Sequence, residues 1–201
     1  MSLWLLPEPL VLASKSAVRR AVLEAAGIAV EVCPADVDER AIEACAGADS
    51  PADVAMLLAQ AKAKAVAPRR PGRIVLGADQ TLALGARRFT KPGGRDDARG
   101  QLLALRGKTH ALHSGIAVVR NEHILYESVE TARLTMRPFS NVFLDRYLDE
   151  TKDAVTASVG GYQLERLGVH LFERIDGDHF TILGLPLLPL LAALRQHGFL
   201  A

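Results

Sequence analysis

Two arginines, Arg19 and Arg20, follow a pair of serines in the stretch LVLASKSAVRRAVLEAAG (10–27), and their position asks for a reason. The stretch reads as a strand, a turn rich in small hydroxyl residues, and a helix stopped by Gly27. Both arginines then fall in the first helical turn, where the positive end of the helix disfavours a cation. A bound anion would remove that penalty. The turn offers free backbone N–H groups, Ser14 a hydroxyl, and Arg19 a planar fork able to hold a phosphate through two parallel hydrogen bonds. The plainer alternative is that Ser14 or Ser16 only caps the helix and both arginines face solvent.

Other charged residues raise the same question. Asp79 is expected at the end of the apolar strand RIVLGA (73–78), where open α/β sheets place their ligand sites. Glu39 belongs to the acidic loop Asp36-Val37-Asp38-Glu39 and by itself reads as a surface acid. Together, Asp79 and Glu39 could hold a hard divalent cation, Mg²⁺ or Mn²⁺, and orient a water. Lys62 lies on an amphipathic helix, where exposure is the ordinary expectation, and Lys91 precedes Pro92 in a loop. The six histidines show no ligand spacing, and Cys33 and Cys45 form neither a CxxC pair nor a disulfide framework. Arg106-Gly107-Lys108-Thr109 contains the GKT of a phosphate-binding loop. The glycine spacing is wrong, however, and the segment follows a helix and enters a strand, so it reads as a turn.

These side chains need elements to hold them. The 201 residues are 49% apolar, which suits one α/β domain spanning 1–201 with a core that needs no disulfides. A net charge of +1 and 5% aromatic residues disfavour a nucleic-acid binder, so any anion site must be local. The first residues lack a basic segment and contain two prolines, and no apolar run reaches membrane-spanning length. The expectation is a cytoplasmic chain without a signal peptide or a membrane partner. Strands are predicted over 10–13, 28–32, 73–78, 109–120 and 123–136. Helices are predicted over 16–26, 51–67, 95–105 and 186–197, with another capped by Ser140. Asp176-Gly177, between two alternating runs in HLFERIDGDHFTIL, predicts a β-hairpin. Early βα units followed by antiparallel strands give a mixed sheet flanked by helices.

Segment by segment, nearly the whole chain resembles the Maf family of nucleoside triphosphate pyrophosphatases, once described as septum-formation inhibitors. The family's opening signature is similar to LASKSAVRRAVLEAAG, and its acidic pair to Asp38-Glu39. Its lysine-bearing helix resembles LAQAKAKAVA, which contains Lys62. Its GAD and KP elements stand at Gly77-Ala78-Asp79 and Lys91-Pro92, and GKTHALHSG and ERIDGDHFTILGLPL resemble two further blocks. The resemblance implies an elongated ITPase-like α/β fold, a homodimer, an active-site cleft, and metal-dependent cleavage of a nucleoside triphosphate to monophosphate and pyrophosphate. It further implies that Arg19, Lys62 and Lys91 clamp the triphosphate, that Asp79 is the base or orienter for water, and that Glu39 helps to hold the metal.

Departures from the family pattern bear on the nucleobase. Ala17 and Val18 replace a proline and an arginine, Gln80 follows Asp79 where dTTP/UTP enzymes have threonine, and Glu165 or the nearby Gln163 aligns with their later glutamine. These changes resemble the branch acting on 7-methyl-GTP. Guanine presents two adjacent donors, which suit the carboxylate of Glu165, and N7 methylation adds positive charge to the base. Facing uracil, that carboxylate would oppose carbonyl oxygens at a cost of several kcal/mol. Two alternatives stand beside this reading: a dTTP/UTP pyrophosphatase, and a nucleotide-binding regulator of septum formation with little or no turnover. Against the regulator is the joint presence of Arg19, Glu39, Lys62, Asp79 and Lys91.

Overall fold

The computed structural model describes residues 3–46 and 50–201; the side chain of Cys45 lies outside what is described. The chain runs β1 (Leu10–Leu12), α1 (Ala17–Ala25), β2 (Val30–Val32), α2 (Glu39–Ala46), α3 (Pro51–Val66), β3 (Ile74–Leu84), β4 (Arg87–Phe89) and α4 (Arg95–Leu105). It continues with β5 (Thr109–Arg120), β6 (His123–Met136), α5 (Asn141–Thr151), β7 (Phe172–Asp176), α6 (His179–Ile182) and α7 (Leu187–Gln196), with short 3₁₀ turns between 152 and 171. The strands form one seven-stranded mixed sheet in the order β2-β1-β3-β5-β6-β7, with β4 on β3. β1 pairs in parallel with β2 and β3, whereas β3–β4 and β6–β7 are antiparallel. Among the described residues no helix is long and apolar enough to cross a membrane.

The chain divides into two compact units, each built from separated segments. The first comprises Met1–Gln80, His113–Glu130 and Asp178–Ala201; the second comprises Thr81–Leu112 and Thr131–Gly177.

In the first unit β1, β3 and β5 are buried on both faces, as their near-continuous apolar sequence requires. Strand alternation sorts the side chains. Leu10, Leu12, Leu76, Ala78, Ile116 and Val118 join Leu23 of α1 and Leu187, Leu190 and Leu194 of α7 in one cluster. Val11, Ala13, Val75, Ala117 and Val119 face the other way, onto Ala59, Ala63 and Val66 of α3. Each fully buried leucine contributes about 1.5–3 kcal/mol. The α3 face is unusually close. A Cβ on Gly77 would collide with the carbonyl oxygen of Ala59, and one on Gly115 would stand 2.6 Å from that of Ala55. Helix backbone therefore lies directly on the sheet.

The second unit carries α4 and α5, joined on their exposed sides by Arg95–Asp149 (2.6 Å) and Arg99–Asp145 (3.3 Å). Its interior includes Leu102, Leu105, Leu134, Leu144 and Leu148, and a polar group among aromatics. There Nε2 of His110 lies 2.7 Å from the hydroxyl of Tyr162, and Phe172 packs against both rings.

Three local expectations are corrected. Asp79 does not end its strand: β3 continues through it to Leu84, because Thr81–Leu84 is again apolar and β4 pairs with Leu82–Leu84. The Asp176-Gly177 hairpin does not form. Asp178 accepts from the Thr181 N–H at 2.9 Å and caps α6, so the second run becomes a helical turn, while β7 pairs with β6. Gly177, at φ +135°, leaves no room for a side chain against Ala132. Finally, the acidic loop ends in α2, begun by Asp38, whose carboxylate accepts from the Ala41 N–H at 3.0 Å. As expected, Gly107-Lys108 is the turn between α4 and β5.

Candidate active site

Alternation along β3 sets the site. Val75, Gly77 and Asp79 point toward α3, whereas Ala78 and Gln80 point to the face carrying α1 and the chain after α6. Asp79 is buried, and its Oδ1 accepts from Nζ of Lys62 at 2.5 Å. The same Nζ lies 2.6 Å from Oε1 of Glu39, in the first turn of α2. One ammonium thus joins a buried carboxylate to a half-exposed one. Burial pushes the Asp79 carboxyl above its ordinary range, against the opposing pull of Lys62 and Arg19.

On the opposite face, Arg19 is wedged between three acceptors. Its Nε donates to the Gly184 carbonyl at 2.8 Å, and Nη1 donates to the Ala78 carbonyl at 2.8 Å and to Ser14 Oγ at 3.1 Å. Burial lowers its pKa, and the charges of Asp79 and Glu39 act the other way. Two carbonyls and two nearby carboxylates therefore offset the cation before any ligand is considered. Arg20 turns outward and pairs with Glu24 at 2.7 Å, as expected of an exposed residue. Ser16, accepting from the Arg19 N–H at 3.3 Å, is the cap of α1. Ser14 is buried and accepts from the Ser16 N–H and from Arg19, so it holds the turn and the guanidinium together. Val18 is half-buried beside Arg19.

Gln80 is held by residues that the sequence pattern did not single out. Its Nε2 donates to the carbonyls of Thr181 (3.1 Å) and Ile182 (3.0 Å) and to Ser114 Oγ (3.0 Å). Ser114 donates its own proton to the Thr181 carbonyl at 2.7 Å, so it can only accept from Gln80. A flipped amide would press its oxygen on two carbonyls; the donor end is fixed and the carbonyl end is what Gln80 offers. A buried serine inside the apolar run SGIAVV was the available signal for Ser114. Nothing local marked Thr181 or Gly184.

Lys91 and Glu165 belong to the second unit, and both are exposed. Lys91 precedes the buried Pro92, and Glu165 lies in the turn Leu164–Arg166, closed by the Arg166 N–H to the Gln163 carbonyl at 3.1 Å. The structure thus brings Ser14, Arg19, Glu39, Lys62, Asp79 and Gln80 into one unit and leaves Lys91 and Glu165 in the other.

The donor set of Glu39 and Asp79 suits a hard divalent cation. Two carboxylates converge on one point, where the ammonium of Lys62 stands, and among the described residues no group of three or more His, Cys, Asp or Glu that could hold a metal is found. Water and substrate oxygens would complete the shell, as is usual for Mg²⁺.

The family model described as "Maf-like protein" matches residues 9–197, nearly the whole chain. The chain belongs to the Maf-like family. It is 58% identical over 200 residues to a nucleoside triphosphate pyrophosphatase of Rhodopseudomonas palustris, covering 100% of this chain and 99% of that protein. A 7-methyl-GTP pyrophosphatase of Mesorhizobium japonicum is 52% identical over 193 residues, covering 95% of this chain and 97% of that one. Among solved structures, a HAM1 protein from Coxiella burnetii aligns with a TM-score of 0.41 at 18% identity, over 63% of this chain and 72% of that one. In this Maf-like chain, the cluster around Lys62 brings together the segments Asp38-Glu39, LAQAKAKAVA and Gly77-Ala78-Asp79.

Proposed function

We propose that this Maf-like chain hydrolyses a nucleoside triphosphate to monophosphate and pyrophosphate. The observation that carries the reading is the ammonium of Lys62 shared by Asp79 and Glu39, close to the charge of Arg19, in a chain closely similar to proteins named for that reaction. A triphosphate needs cations for its oxygens, and its attacking water needs a base. This group supplies both.

In the reaction, the oxygen of water forms a bond to the α-phosphorus and the bond from that phosphorus to the bridging oxygen breaks. Asp79 takes the water proton, and pyrophosphate leaves with the bonding electrons. Burial raises the basicity of Asp79 toward that of a useful base. Arg19 and Lys62 hold the charge that accumulates on the leaving group, and the family resemblance gives Lys91 the same role. Glu39 and Asp79 would hold Mg²⁺ or Mn²⁺, which supplies Lewis-acid charge on the phosphate oxygens.

For the base we assign 7-methyl-GTP. The carboxylate of Glu165 is exposed, and its two oxygens suit the adjacent donors of a guanine edge; separately, Gln80 offers a carbonyl oxygen as an acceptor. The similarity to the Mesorhizobium japonicum protein supports the same choice. Free nucleotides as substrates fit a cytoplasmic protein, and sedimentation of the purified chain tests the homodimer that the family implies.

The test is pyrophosphate release from 7-methyl-GTP, GTP, ITP, dTTP and UTP with Mg²⁺ or Mn²⁺, with Asp79→Asn and Glu165→Gln alongside. Turnover of 7-methyl-GTP that is lost in Asp79→Asn and weakened in Glu165→Gln is expected. A preference for dTTP or UTP would overturn the base assignment, and no pyrophosphate from any nucleotide would overturn the reaction.

A further inference from the structure

Lys62 stands where a divalent cation would be expected to stand. Its Nζ is 2.6 Å from Glu39 Oε1 and 2.5 Å from Asp79 Oδ1, so the point on which both carboxylates converge is filled by an ammonium. Both Lys62 and Asp79 are largely shielded from water, with side chains 13% and 12% exposed. With Arg19 acting on the same carboxylates, two cations balance two anions. A bare divalent ion entering that balanced set would leave excess positive charge in a place that water screens poorly. Only an anion arriving with it restores the balance.

The helix that carries Lys62 rests directly on the sheet: Ala59 and Ala63 of α3 touch the backbone at Gly77, and Ala55 touches it at Gly115, so the helix cannot move closer. Withdrawal would expose Ala59, Ala63 and Val66, which are buried against the strands, so the charge moves most readily by rotation of the lysine side chain. That side chain is long, flexible and tipped by a point charge, which suits it to exchange one anionic partner for another.

We infer that Lys62 is a placeholder cation: it keeps the Glu39–Asp79 pair closed to free divalent metal and releases the pair when a polyphosphate gives its ammonium another partner. The lysine then serves twice, first as counter-charge to the carboxylates and afterwards as part of the phosphate clamp. The second role rests on the pyrophosphatase reading; the first does not.

The experiment measures Mn²⁺ binding at pH 8 by the loss of the free-ion electron paramagnetic resonance signal. It compares the wild type, Lys62→Met, Lys62→Arg and the double variant Lys62→Met/Glu39→Gln, all without nucleotide. Lys62→Met is expected to bind Mn²⁺ about tenfold more tightly or better than the wild type, the order produced by removing one nearby positive charge. Lys62→Arg should stay as weak as the wild type, and the double variant should lose the gain. A wild type that already binds Mn²⁺ as tightly as Lys62→Met overturns the proposal. Lys62→Gln provides the same comparison if the methionine variant does not fold. The wild type is also measured with a methylene-bridged triphosphate analogue; equal Mn²⁺ affinity with and without it overturns release by polyphosphate. Pyrophosphate release by the wild type is followed separately. Turnover with unchanged Mn²⁺ binding in Lys62→Met sinks the placeholder and spares the enzyme. The expected Mn²⁺ pattern without turnover does the reverse.

Discussion

The carbonyl of Gly184 accepts a 2.8 Å hydrogen bond from Nε of Arg19, and a methyl group on that glycine would stand 3.2 Å from Nη2 of the same guanidinium. Gly184 also has φ +84°, which only glycine adopts without strain. Gly184→Ala should therefore cost about 1–2 kcal/mol in backbone strain. It should also press Arg19 aside by a few tenths of an ångström and lower kcat/KM by up to about tenfold, less than the roughly hundredfold of a misplacement near 1 Å. Urea unfolding and steady-state kinetics on the same preparation check the two effects.

Asp79 gives the acid side of the profile an unusual pair of slopes. Its folded-state pKa lies above the ordinary value, chiefly through burial. Between those two values the folded chain keeps a proton that the unfolded chain has released, so this group lowers stability as pH rises through the window. Activity should move in the opposite direction, since the base acts only when ionised. The expected result is a rise in kcat/KM with a midpoint above that of an exposed carboxylate. The fall in unfolding free energy over the same window should vanish in Asp79→Asn. That variant should lose activity by about 10²–10⁴, as for a removed general base, while still binding nucleotide.

Ser114 both donates to the Thr181 carbonyl and accepts from Gln80. Ser114→Ala leaves that buried carbonyl with one donor fewer and frees one side of the amide. A loss of about 1–3 kcal/mol in stability is expected. The ratio of kcat/KM for guanine and uracil nucleotides should fall more than kcat does, which competition assays between the two substrates would reveal.

His110 carries the opposite sign from Asp79. Burial pushes its pKa from 6.5 down to about 4, and its Nδ1 has no hydrogen-bond partner among the described residues. As pH falls below about 6.5 the unfolded chain gains a proton that the folded chain refuses, so stability is lost progressively down to about pH 4. The loss from this group is at most about 3 kcal/mol, since each pH unit between the two values is worth about 1.36 kcal/mol. His110→Gln should flatten the dependence in that range when unfolding is followed at a series of pH values. An unchanged slope would contradict the assignment.

Regular patterns were readable in the sequence, and competition between patterns was not. Thr109–Arg120 and His123–Met136 stand as expected because long alternation has no rival, and Arg95–Leu105 is bounded by glycines and a turn. The Asp176-Gly177 signal was genuine but lost to Asp178, whose cap on the next residues a dipeptide rule does not weigh. At the site, the sequence singled out Arg19, Glu39, Lys62 and Asp79, which lie in one unit, but not their partners. Arg19 stood out as a cation in a first turn, yet the partners that stabilise it include Gly184, 165 positions away. Asp79 was located by its apolar approach; its pairing with Lys62 offsets its buried charge, while the β4 partners of Leu82–Leu84 carry β3 onward.

Gly77 and Gly115 bring α3 onto the sheet chiefly by backbone contact, with only the Cβ of Ala63 added, so the height of Lys62 above Asp79 is set largely by atoms that every residue shares. No compressible side-chain layer lies between them at these points. Much of the remaining core can then drift among apolar residues over evolutionary time, or be repacked by an engineer, without changing the gauge of the charged cluster. One added methyl group at either glycine cannot be absorbed in that way. The reactive geometry is thus most exposed to neutral-looking changes at two positions that carry no charge, bind nothing and would pass unnoticed in a list of functional residues.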